Sequence, residues 1–155
     1  MTDPYRVRRV LVPIDGSEYS RYAAQYAVRM AASQGSEVVF LHVVDREVVA
    51  TLTHRGTLSE IAVRQQLMDN GAVYVRDAAR LAAEQGVAHR EEIHEGDPAT
   101  AILDAATRLG ADIIVMGRLG RHGARRMLMG SITQRVIECS DRPILVINGP
   151  IPEPP

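Results

Sequence analysis

The chain has 155 residues, 18 of them basic and 19 acidic, for a formal net charge of −1, and every one of the 18 cations is an arginine. Without lysine there is no Walker A P-loop and no Schiff-base or pyridoxal-phosphate chemistry, and the near balance of charge argues against a dedicated nucleic-acid binder. An apolar share of 46%, a charged share of 24% and a single cysteine, Cys139, fit a globular domain in a reducing compartment.

The first apolar run, residues 9–14, is short, rich in β-branched residues and continuous rather than alternating. Strands buried on both faces of a parallel sheet look like this. Asp15-Gly16-Ser17-Glu18 follows, with the form of a capping box. Tyr19, Tyr22, Ala23, Tyr26, Ala27, Met30 and Ala31 then fall on one helix face, a tyrosine stripe expected to pack on the sheet. Gly35 closes that helix as a C-cap glycine.

Residues 38–44 give a second buried strand, in which His42 reads as a satisfied core residue. A longer, less regular helical segment covers 57–85, with a break expected at Asn70-Gly71. Beyond Gly86 a weaker, more polar strand, 87–94, is expected at the sheet edge. His89 and His94 lie five apart on it, so they face opposite sides and cannot share a metal. Asp97-Pro98 supplies an N-cap and a first helical proline. The helix they open presents Ile102, Ala105, Ala106 and Leu109 on one face and stops at Gly110. Runs 113–116 and 144–147 are the last strands. A short helix, 131–140, lies between them and carries Cys139, expected in the core or at its boundary. The Pro-rich tail, 149–155, is expected to be extended and mobile.

Strict alternation of strands and helices predicts an α/β fold. It would be a single doubly wound, mostly parallel five-stranded sheet with helices on both faces and right-handed crossovers. One domain over 1–148 and a flexible tail follow. Such sheets bind ligands beyond the carboxyl ends of their strands, where the strand order reverses. The loops after Ile14, Val44 and Met116 are therefore the places to look.

The loop after Met116 stands out. It runs from Gly117 through Gly120 to Gly130 and Ser131, which open a helix. Glycine lets backbone N–H groups approach an anion, and a helix N-terminus adds unpaired donors and partial positive charge. Ser131 and Thr133 bring hydroxyls, and Arg118, Arg121, Arg125 and Arg126 bring countercharge. These parts suit a di- or triphosphate. A connector with a Ser cap and solvated arginines stays open on the same residues. Asp15 likewise reads either as a ligand for a ribose hydroxyl or as a helix cap. No Cys/His spacing suggests a metal site and no Ser/His/Asp set or nucleophile elbow appears, so no catalytic residue and no metal ligand is assigned. The N-terminus has no apolar signal region, and no apolar run approaches the ~20 residues of a membrane span. A cytoplasmic location is expected.

Five stretches, in order, point to one family: Val-Leu-Val-Pro-Ile-Asp-Gly-Ser at 10–17, Leu-His-Val-Val at 41–44, Gly-Asp-Pro-Ala at 96–99, Asp-Ile-Ile-Val-Met-Gly at 112–117 and Arg-Pro-Ile-Leu-Val-Ile at 142–147. Gly117, Gly120, Gly130 and Ser131 add the spacing Gly-x2-Gly-x9-Gly-Ser. The chain resembles the ATP-binding subgroup of the universal stress protein family over nearly its whole length. The resemblance implies a Rossmann-like fold of the adenine-nucleotide α-hydrolase type that holds ATP with Mg²⁺. On that likeness Pro13, Ile14 and Asp15 meet the adenine and ribose, and Val43 meets the adenine. Met116 and Gly117 flank the nucleotide, while Gly120, Gly130, Ser131, Ile132 and Thr133 hold the phosphates. Leu119 counts among these positions too, although it and Arg118 are bulkier than the small or polar residues often found there, and Leu119 has no donor for a phosphate.

The implied role is that of a nucleotide-dependent regulatory module of the stress response. No residue is an evident general base, so hydrolysis is expected to be slow at most. Alternatives are a nucleotide-independent dimeric interaction protein and a binder of AMP, ADP or a cyclic nucleotide. An adenylyl-transferring enzyme on a similar fold would need a His-x-Gly-His or Ser-Gly-Gly-x-Asp-Ser signature, and neither occurs. The resemblance also implies a homodimer. The apolar last strand, Ile144 to Ile147, at a sheet edge would be covered by pairing across a two-fold axis.

Overall fold

The computed structural model describes residues 3–121 and 128–153. Five strands, β1 (Arg9–Pro13), β2 (Glu37–Asp45), β3 (His89–Gly96), β4 (Ile113–Gly117) and β5 (Ile144–Ile147), form one sheet in the order β3-β2-β1-β4-β5. Every pairing is parallel, so the sheet is wholly rather than mostly parallel. The helices are α1 (Glu18–Gln34), α2 (Arg46–Arg55), α3 (Glu60–Glu84), α4 (Pro98–Leu109) and α5 (Ser131–Cys139).

The continuous apolar runs are explained by two cores, one on each face of the sheet. Val10, Val12, Val38, Phe40 and Val115 pack with small residues of α1 and α3. Leu11, Val39, Leu41, Ile114 and Met116 pack with α4 and with Val136 of α5. Neighbouring residues of one strand thus serve opposite layers, and each fully buried Val, Leu or Phe contributes about 1.5–3 kcal/mol. The chain winds outward from β1 to β2 to β3, then returns to place β4 on the other side of β1. The order reverses between β1 and β4, which opens a crevice at their carboxyl ends.

Several expectations are corrected. A helix, α2, follows β2 directly, with Asp45 as its N-cap accepting from the Glu47 N–H at 2.9 Å. Asn70-Gly71 does not break α3, which runs through both residues with Gly71 buried. The tyrosine stripe of α1 packs only in part: Ser20, Ala23, Ala24, Ala27, Val28 and Ala31 are buried and Tyr22 packs half-buried against that core, whereas Tyr26 is exposed. The small residues let α1 lie close on the sheet. Cys139 is exposed rather than in the core or at its boundary. Gly35 and Gly110 do close their helices in the left-handed region, at φ +68° and +61°. Gly86 lies one residue beyond the Gln85 cap of α3. Among the described residues no helix is long and apolar enough to cross a membrane.

Candidate functional site

The crevice between β1 and β4 widens into a cavity of about 280 Å³. Its floor is the carboxyl ends of β1, β2 and β4, and its walls come from α2, α3, α4, the loop after β4 and the first turn of α5. Pro13, Ile14, Asp15, Val43, Met116, Gly117, Leu119, Gly120, Gly130, Ser131, Ile132 and Thr133 all line it. Leu41, Val43, Val44, Ile102 and Met116 make one part apolar.

Asp15 joins the two loops that frame the crevice. Its Oδ1 accepts from the Ser17 N–H at 2.9 Å, and its Oδ2 accepts from the Arg121 backbone N–H at 2.9 Å. The N-cap of α1 is Ser17, which accepts from the Ser20 N–H at 3.1 Å, so Asp15 is not the cap. Gly120 lets the Asp15 carboxylate come this close, since a Cβ there would lie 2.9 Å from Asp15 Oδ2 and push it aside. Gly117 is demanded by α1: a Cβ would fall 2.6 Å from the Cβ of Tyr19. The Thr133 hydroxyl is committed to the Gly117 carbonyl at 3.0 Å. A hydroxyl has one proton, so Thr133 is left with its backbone N–H for an anion, and Ser131 is the exposed hydroxyl of this turn.

The N-terminus of α5 differs from the other four. Ser17, Asp45, Ser59 and Asp97 each cap a helix with a side-chain oxygen, whereas α5 begins at Gly130 with no side-chain cap. Neither strain nor crowding requires that glycine. Its φ of −69° and ψ of 150° suit any residue, and a Cβ would meet its nearest neighbour, the Gly120 nitrogen, at 3.4 Å. What the glycine does is leave the first backbone donors of α5 uncovered beside the cavity.

His42 enters the cavity wall from β2. Its Nδ1 pairs with the Ile14 carbonyl at 2.6 Å, and its ring meets Tyr74 edge-on with centroids 5.5 Å apart. Burial pushes the His42 pKa below its ordinary value; the Ile14 hydrogen bond and the Asp15 charge oppose this, and Arg121 adds to it. The imidazole is therefore neutral near pH 7, with the proton on Nδ1 so that it can donate to Ile14. His42 is satisfied, as its place in a buried strand suggested, and it also lines the site.

The sequence did not point to Leu67, Asn70 and Tyr74 of α3, to Val48 of α2, or to Pro98 and Ile102 of α4, all of which line the cavity. The signal for α3 was Gly71, a glycine kept in a helix interior where the sheet comes close. Arg118 and Arg121 are described; Arg125 and Arg126 lie outside the described residues. Among the described residues no group of three or more His, Cys, Asp or Glu is placed to hold a metal ion.

The sequence model of the universal stress protein family matches residues 6–148. The chain belongs to the universal stress protein family. It is 34% identical over 143 residues to universal stress protein MJ0531 of Methanocaldococcus jannaschii, covering 92% of this chain and 83% of that one. The solved structure of MJ0577, a universal stress protein of the same organism, superposes with a TM-score of 0.80 at 26% identity, covering 92% of this chain and 96% of that one. The universal stress protein of Archaeoglobus fulgidus in complex with dAMP shares the fold, with a TM-score of 0.64, 19% identity, and coverage of 92% and 99%.

Proposed function

We propose that this universal stress protein binds an adenine nucleotide, ATP with Mg²⁺, in the cavity between β1 and β4, and that the nucleotide governs its role as a regulatory module of the stress response. The observation that carries this reading is the uncapped N-terminus of α5 at one side of a cavity that is apolar in another part. An aromatic base has apolar surface to cover, and phosphates need donors and positive potential. Leu41, Val43, Val44 and Ile102 offer the first; the Ser131 hydroxyl and the backbone N–H groups of the first turn of α5 offer the second, while the Gly130 N–H is held by the Arg118 carbonyl at 2.8 Å. The family relative solved with dAMP supports the choice of base.

Asp15 remains available to a ribose hydroxyl although both its oxygens accept backbone N–H groups, because each carboxylate oxygen has a second acceptor site. With no cluster of protein ligands among the described residues, Mg²⁺ would ride on the phosphates. Hydrolysis should be slow. Asp15 already accepts two backbone N–H groups, which weakens it as a general base.

The test is to denature the purified protein, identify any released nucleotide by chromatography, and titrate the emptied protein with Mg-ATP. Saturable binding is expected. Absence of binding to every adenine nucleotide, or turnover at many per second, would overturn the proposal.

A further inference from the structure

Two of the four arginines in the loop after β4 are described, and they point in opposite directions. Arg118 turns toward α1. Its guanidinium donates to the Tyr19 hydroxyl at 3.1 Å and to the Leu128 carbonyl at 3.2 Å, and it lies 5.4 Å from the centre of the Tyr19 ring. Arg121 turns across the cavity toward α3. Its guanidinium lies 5.5 Å from the centre of the Tyr74 ring and donates to the Tyr74 hydroxyl, and the residue lines the cavity.

The partners of Arg121 differ from those of the ion-paired arginines. Arg9, Arg64, Arg90, Arg108, Arg135 and Arg142 each hold a carboxylate. Among the described residues Arg121 forms no ion pair; its guanidinium rests on a neutral phenol, and only its backbone N–H meets a carboxylate, that of Asp15. A cation held by an aromatic ring at a cavity wall keeps its attraction for an anion. Its root is also fixed. Asp15 holds the Arg121 backbone, and the adjoining Gly120 abuts the cap of α5, so the side chain starts beside the uncapped helix turn. His42, which faces the same corner, is held neutral by burial and does not compete for the anion as a second cation.

We infer that Arg121 is the residue through which the site reads phosphate charge. Its guanidinium leaves Tyr74 and pairs with the phosphates of the bound nucleotide, so that a triphosphate is held more tightly than a monophosphate and a monophosphate more tightly than a nucleoside. This rests on the adenine-nucleotide reading of the cavity and assigns within it a specificity residue that the glycine spacing does not name.

Calorimetric titration of the parent and of Arg121→Gln, Arg121→Lys and Arg118→Gln with adenosine, AMP and ATP, each at low and high salt, tests the inference. The parent is expected to rank ATP above AMP above adenosine. Arg121→Gln should lose about tenfold or more for ATP and flatten its salt dependence while leaving adenosine nearly unchanged. Arg121→Lys, which keeps the charge, should retain the ranking, and Arg118→Gln should behave as the parent. Equal losses for ATP and adenosine in Arg121→Gln, or an equal loss of ATP in Arg118→Gln, would overturn the assignment and leave the site reading standing. A parent that binds none of the three ligands overturns both.

Discussion

The imidazole of His42 fills the space in which a side chain on Gly71 would begin: a Cβ there would lie 2.3 Å from the ring's Cδ2. Strand β2 and helix α3 touch at this notch, and the same ring holds the Ile14 carbonyl at the mouth of the crevice. By helix propensity alone, Gly71→Ala should stabilise α3 by about 1 kcal/mol. The collision reverses that sign, and a net loss of about 1–3 kcal/mol is expected. Urea unfolding of the variant checks it; a midpoint at or above that of the parent would show that the notch is not filled as described.

His42 also makes stability depend on pH. Its pKa in the folded protein lies below the ordinary 6.5, chiefly through burial. The folded state therefore binds this proton less readily than the unfolded state. Stability from this group is complete above about pH 6.5 and falls as pH drops toward the folded-state value, below which it levels off. Between about pH 7 and pH 5 the parent should lose more stability than His42→Gln. Parallel slopes in thermal unfolding would remove His42 as the cause.

Gly130→Asp should separate folding from binding. The backbone at Gly130 has the extended geometry of the four capped helices, so an aspartate fits and should stabilise α5 by a few tenths of a kcal/mol. Its carboxylate would occupy the donors proposed for phosphate and repel an anion. The expected variant is at least as stable as the parent and has lost Mg-ATP binding. Retained affinity would place the phosphates elsewhere.

Asp15→Ala removes the hydrogen bond from the Ser17 N–H within the β1 loop and the one from the Arg121 N–H that joins this loop to the glycine loop. A stability loss of about 1–3 kcal/mol is expected, with a drop in nucleotide affinity beyond that caused by losing a ribose contact. An unchanged melting temperature would mean that the junction contributes little to the fold.

Strands β1, β2, β4 and β5 are legible in the sequence because both faces of the sheet are covered and their apolar runs are unbroken. Helix α2 is not, since it buries only Val49 and leaves no apolar stripe to read; Asp45 as a cap was its one local signal. The expected break at Asn70-Gly71 failed because local propensity is worth about 1 kcal/mol, less than the packing that the glycine permits. The glycine spacing led to the loop and to α5. The contribution of α3 to the cavity, Tyr74 above all, arises from how that helix crosses the strand ends, which no stretch of sequence carries by itself.

The oligomeric state is open to a direct measurement. Strand β5 is apolar along its length, pairs with β4 on one side and ends the sheet on the other. Light scattering at micromolar concentration should give the mass of two chains, and a single-chain mass would count against pairing through this strand.

The two ends of the sheet are unlike. At the far end, β3 carries His89, Arg90, Glu91 and Glu92, with Arg90 held by Glu37 and Glu92 by Arg108. A second strand arriving there would have to strip water from this charged border, whereas β5 presents only apolar residues. The sheet thus has one apolar end and one charged end. A pair of copies joined through β5 would use up both apolar ends and close at two.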